Sequence, residues 1–134
     1  MEKLEHIGIA VKNLEEANAQ FAKLLGRNHY KIEEVESEGV KTSFFEIGGV
    51  KIELLEASKA DSPIAKFIEK RGEGIHHLAF EVKNIKESIE HYKQDGFSPI
   101  NPEPKKGADN KMICFLHPKT TGGVLVELCQ EIKS

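Results

Sequence analysis

The sequence predicts an α+β fold in which one strand–helix–strands unit is written twice along 134 residues. Two phrases carry the prediction. HIGIAVKNL (6–14) returns as HLAFEVKNI (77–85), which sets His6 on His77, Val11 on Val82 and Asn13 on Asn84. GGVKIELLE (48–56) returns as GGVLVELCQ (122–130), which sets Glu53 on Glu127. Each copy opens with an apolar strand, passes into a helical pattern and ends in strands, so the halves are expected to share a sheet or a core.

The elements follow in order. HIGIAV is a strand, and Asn13 with Glu16 three residues on is a helix start. Leu14, Phe21 and Leu25 form one apolar helix face, and Gly26 closes it. YKIEEVE (30–36) and KTSFFEI (41–47) read as strands before the Glu53 phrase. Between the copies lies ADSPIAKFIEKRGEG. There Ser62 caps a short helix, Pro63 takes its first position, and Ile64, Phe67 and Ile68 face a core. Gly72 and Gly74 end that helix. In the second copy Asn84 and Glu87 repeat the cap, Ile85, Ile89 and Tyr92 repeat the apolar face, and Gly96 closes the helix. A weak strand is expected near Phe97, a loop over NPEPKKGADNK (101–111), and a strand over KMICFL (111–116). No segment is long enough to act as a linker between independent domains, so residues 1–134 are read as a single domain.

Composition narrows the function. Hydrophobic content of 39% and charged content of 31% suit a soluble globular protein. A net charge of −3 argues against general nucleic-acid binding. No apolar run approaches the roughly 20 residues of a membrane span, and MEKLEHIGIAV does not read as a secretory signal. Cys114 and Cys129 lie in apolar runs without CxxC spacing and read as buried, reduced thiols of a cytoplasmic protein.

Alternation along the strands then picks out a site. Ile7, Ile9 and Val11 oppose His6, Gly8 and Ala10; Leu78, Phe80 and Val82 oppose His77, Ala79 and Glu81. Glu53 and Glu127 likewise sit off the fully apolar faces of their strands. Taken singly, each would pass for a hydrogen-bonded or solvated strand residue. Duplicated together, two histidines and two glutamates form a ligand set for a borderline or hard divalent cation that leaves positions open to substrate. His76 has Glu5 at its place in the other copy and reads as a residue supporting or packing against the site. His29 and His91 read as surface residues, while His117, in a turn, is a candidate substrate contact.

On these residues the chain resembles the vicinal oxygen chelate superfamily and, within it, the methylmalonyl-CoA epimerase family. The likeness covers nearly the whole chain, and DSPIAKFIEKRGEGIHHLAFEV and FLHPKTTGGVLVEL are its most specific phrases. Glyoxalases usually carry a DPDG-type turn where the second phrase stands. The resemblance implies two paired βαβββ modules, about 4–57 and 75–131, joined by a helix at about 62–71. It implies that the modules form an open, cup-shaped mixed β-sheet barrel. It further implies one divalent ion on His6, Glu53, His77 and Glu127. Cobalt is the first choice, and manganese, nickel or zinc also fit. The substrate would be a 2-methylmalonyl thioester of coenzyme A and the assembly a homodimer, without nucleic-acid or membrane partners.

The implied reaction interconverts the (R) and (S) epimers by removing the C2 proton from one face and returning one to the other, with the cation stabilising the enolate. Glu127 is the first candidate base. Where some bacterial epimerases place a second glutamate, this chain has Thr42, which is no base at neutral pH. Glu53 is therefore the expected second base. Lys105, Lys106, Lys111 and Lys119 are candidates to meet the coenzyme's phosphates, and equally read as solvated loop lysines. The set of two His and two Glu also occurs in bacterial glyoxalase I, so it leaves that enzyme open. A drug-sequestering module of the same fold is a third reading, though such modules generally lack the full set.

Overall fold

The computed structural model describes residues 1–133. The chain divides into two compact units, His6–His76 on the one hand and Met1–Glu5 with the chain from His77 onward on the other. Strands β1 (Lys3–Ala10) and β5 (Gly74–Glu81) each begin in one unit and end in the other.

In the His6–His76 unit, β1 leads to helix α1 (Leu14–Leu25), then to β2 (Lys31–Val35), β3 (Val40–Ile47) and β4 (Val50–Ala57), and finally to α2 (Pro63–Arg71). The strands lie in the order β2-β3-β4-β1, with β1 parallel to β4 and the remaining pairs antiparallel. Helix α1 starts where Asn13 Oδ1 accepts the Glu16 N–H at 2.9 Å, and it stops at Gly26, whose φ of 71° is left-handed. Its apolar stripe packs Leu14, Ala17 and Phe21 onto Ile9, Val11, Phe45 and Leu54, which form one face of the sheet. Helix α2 covers part of the opposite face. Ile64, Phe67 and Ile68 pack there on Ala10, Val40 and Leu55. The Ser62 hydroxyl caps α2 by accepting the Ala65 N–H, and Pro63 opens it. A Cβ on Gly39 would stand 2.9 Å from that of Ser62, so a glycine at the β3 entrance lets the helix cap sit close.

The other unit repeats the pattern with β5, α3 (Ile85–Gln94), β6 (Lys105–Lys106), β7 (Lys111–Leu116) and β8 (Val126–Glu131). Its strand order is β5-β8-β7-β6, and again only β5 and β8 are parallel. Asn84 Oδ1 accepts the Glu87 N–H at 3.1 Å, the same cap a second time. Val82, Ile85, Ile89, Leu116 and Leu128 make the core under α3. Ala79, Ile113, Cys129 and Phe115 cluster on the opposite face. The amino-terminal residues belong here because the Glu2 N–H donates to the Glu81 carbonyl at 2.8 Å, and Lys83 and Lys111 pair with Glu2 and Glu5.

Two details depart from expectation. The segment 101–111 is not all loop, since Lys105 and Lys106 pair with Ile113 and Met112. Near Phe97 there is no regular strand, only a bridge from Pro99 to Leu116. Helix α3 closes as expected at Gly96, which follows the C-cap Asp95 with a left-handed φ of 96°: its N–H donates to Lys93 O at 3.1 Å and the Phe97 N–H to Tyr92 O at 2.9 Å.

Candidate active site

Each unit holds one buried His–Glu pair, built the same way. In the His6–His76 unit, the face opposite α1 presents His6 from β1 and Glu53 from β4. The register sets Glu53 across from Gly8 on one side and Phe44 on the other. His6 Nδ1 lies 3.2 Å from Glu53 Oε2, and both residues are 4% exposed. In the other unit Glu127 faces Ala79 on one side and Phe115 on the other. His77 Nε2 lies 3.2 Å from Glu127 Oε1, and both are buried. The His77 ring meets the Phe115 ring edge-on, with centroids 5.5 Å apart. A small residue on the parallel neighbour leaves room for each carboxylate, and the antiparallel Phe lies beside it.

The spacing suits cation ligation. Two donors held about 2.1 Å from one cation at about 90° stand roughly 3.0 Å apart. An imidazole nitrogen and a carboxylate oxygen at 3.2 Å match that edge. The same spacing serves a hydrogen bond from a protonated ring nitrogen when no cation is bound. Imidazole–carboxylate donors suit Mn, Co, Ni or Zn. Thiolate ligation is disfavoured: burial first, and then Glu127 and Glu5, push the Cys129 thiol far above its usual range. Its S–H donates to the Phe80 carbonyl at 3.5 Å.

The other expected residues fall in different places. Thr42 is buried at 1% exposure, two residues before Phe44 on the same face, and its Oγ1 has no hydrogen-bond partner. His76 stacks edge-on against Phe67 at 5.0 Å, which bears out a packing role. His117 is exposed, and its Nδ1 accepts the Lys119 N–H at 3.2 Å as the cap of the 3-10 turn Pro118–Thr120. Lys119 is exposed in that turn. Lys105 and Lys106 lie on β6 rather than in a loop. Lys111 is neither in a loop nor solvated: it is on β7, 6% exposed, with Nζ 3.9 Å from Glu5 Oε2. Sequence reasoning missed Glu5 as a buried charge, 3% exposed. Its one signal was an acid beside the first histidine, where the other copy has His76.

A fold of twin βαβββ modules with a His–Glu pair in each copy defines a class, and the sequence matches it: residues 5–115 fit the glyoxalase/bleomycin resistance protein/dioxygenase superfamily. The human mitochondrial methylmalonyl-CoA epimerase is 40% identical, over 96% of this chain and 73% of that protein. The ethylmalonyl-CoA/methylmalonyl-CoA epimerase of Cereibacter sphaeroides is 41% identical, over 96% of this chain and 97% of that protein. A variant of Streptomyces coelicolor methylmalonyl-CoA epimerase, solved with 2-nitronate-propionyl-CoA, superposes with a TM-score of 0.93 at 30% identity. That superposition covers 100% of this chain and 99% of the Streptomyces chain. The chain belongs to the methylmalonyl-CoA epimerase family of that superfamily. The α+β class expected from the sequence is the one found, over the whole chain. No helix among the described residues is long and apolar enough to cross a membrane.

Proposed function

We propose that this protein is a divalent-metal-dependent epimerase that interconverts (R)- and (S)-methylmalonyl-CoA by proton transfer at C2. The observation that carries the reading is the buried His–Glu pair repeated in both modules. Kinship with named epimerases supplies the substrate class. In this reading His6, Glu53, His77 and Glu127 hold one cation, and cobalt heads the candidates. When bound, the cation supplies Lewis-acid charge at the thioester oxygen, where negative charge grows as the C2 proton leaves. Glu127 removes or returns that proton on one face and Glu53 does so on the other. Both carboxylates are buried, with one oxygen against an imidazole, so their positions are fixed before substrate arrives. In this reading Thr42 takes no proton, and its buried hydroxyl, which has no partner in the fold, donates a hydrogen bond to the bound acyl group. His117 and Lys119, exposed on the turn before β8, and Lys105 and Lys106 on β6 are the proposed contacts of the coenzyme. We further read the chain as one functional domain that works as a homodimer.

The test is a coupled assay. One methylmalonyl-CoA epimer is offered to a mutase specific for the other, with and without chelator. Turnover that needs this protein and is abolished by chelation is expected. Turnover of the glutathione hemithioacetal of methylglyoxal with none of methylmalonyl-CoA would overturn the reading.

A further inference from the structure

We propose that Phe115 is a positioning residue for the cation site: its ring fixes the plane of the His77 imidazole and so sets how tightly the protein takes up its metal ion. The inference rests on the function proposed above and deepens it. His77 is 5% exposed, and its ring stands perpendicular to that of Phe115, at an interplanar angle of 90° with centroids 5.5 Å apart. Two aromatic rings favour that arrangement, which sets the positive edge of one against the negative face of the other. Phe115 also lies directly opposite Glu127 in the β7–β8 register, so the two side chains leave the sheet on the same face. One ring thus serves both members of the His–Glu pair of this unit.

Two freedoms of an imidazole matter when it acts as a ligand: which nitrogen it presents, and the plane in which it presents it. The Glu127 contact settles the first, since Nε2 is the atom 3.2 Å from Oε1. It settles the second poorly, because one contact at the rim of a ring leaves the plane able to swing. The perpendicular ring of Phe115 restricts that swing. Phe115 is itself held in place. It packs against Ala79, Ile113 and Cys129, and Ile113 is 6% exposed on the same face of β7. The turn between β6 and β7 closes tightly on Ile113, for a Cβ on Gly107 would stand 2.7 Å from Ile113 Cδ1. A packed wall therefore backs the ring. The consequence is for affinity. A ligand oriented before the cation arrives loses less freedom on binding, and groups that orient a ligating histidine strengthen metal uptake without touching the ion.

The test is titration of the metal-stripped protein with Co(II), read by calorimetry and by visible absorption. Phe115→Leu keeps an apolar side chain and removes the ring. It should weaken Co(II) binding about three- to tenfold, the range of an aromatic pair, and alter the Co(II) absorption band. Phe115→Tyr keeps the ring, and Ile113→Val loosens the same core cluster without removing it; both should bind Co(II) within about 1.5-fold of wild type. Urea titrations confirm that each variant is folded. Wild-type affinity in Phe115→Leu, or an equal loss in Phe115→Tyr or Ile113→Val, overturns the assignment and leaves the epimerase reading intact. A wild type that takes up no Co(II) overturns both. Should Phe115→Leu fail to fold, NMR of the wild-type protein decides. Before metal is added, the isotope-labelled His77 ring should show one ordered orientation, the same as with diamagnetic Zn(II) bound. A ring that averages between orientations until zinc arrives overturns the assignment.

Discussion

Replacing Glu53 with Gln should separate the two halves of the proton transfer. Glu53 is 4% exposed with one carboxylate oxygen 3.2 Å from His6 Nδ1. Glutamine keeps the volume and an oxygen at that position but cannot take a proton. Loss of a positioned acid–base group costs about 10²- to 10⁴-fold in rate, or roughly 2.7–5.5 kcal/mol in barrier. Epimerisation should fall by that factor, because it needs both faces. Exchange of the C2 hydrogen with solvent deuterium needs only one. Glu53→Gln should therefore still exchange one epimer at near wild-type rate and lose exchange of the other, and Glu127→Gln should show the mirror result. The assay is mass spectrometry of each epimer after short incubation in D2O, with cation content measured alongside. Fold stability should hold, since a neutral amide replaces a buried carboxylate and leaves no unpaired charge. Wild-type epimerisation by Glu53→Gln would refute the two-carboxylate reasoning. So would equal loss of exchange from both epimers in a variant that keeps its cation.

Three further outcomes follow from the same structure. Thr42→Val removes a buried hydroxyl with no partner; it should raise unfolding free energy by about 1 kcal/mol in urea titrations and raise KM for the thioester. Asn13→Ala and Asn84→Ala each remove one helix cap and should cost about 1 kcal/mol apiece, nearly additively, by the same titration. Cys129, whose thiol burial and nearby carboxylates hold protonated, should resist alkylation at about pH 8 in the native protein and react fully in denaturant, as read by mass spectrometry.

The features legible in the sequence were the ones the chain states locally. The caps at Asn13 and Asn84 are short-range chemistry, and the alternation in HIGIAV and KIELLE assigns faces without any knowledge of neighbours. Duplication did the rest, because His6 and Glu53 acquire meaning only when His77 and Glu127 repeat them. What stayed hidden depends on contacts between distant segments. Strand β6 has two residues, too few for a period, and exists only because β7 offers it a partner. Lys111 looked solvated among prolines, glycines and lysines, yet its strand register carries it into the protein beside Glu5. Residues 1–5 open the first copy in sequence, including the start of β1, but group with the second, through a backbone bond to Glu81 and ion pairs to Lys83 and Lys111.

One titration goes most directly to the account's centre. Metal-stripped protein is titrated with Co(II), followed by calorimetry and by visible absorption, for the wild type and for His6→Ala and His77→Ala. A shared site predicts one Co(II) per chain in the wild type and a large loss of affinity in either variant, since each removes a ligand from the same ion. Two ions per chain, each variant losing only one, would contradict it, as would a wild type that takes up none.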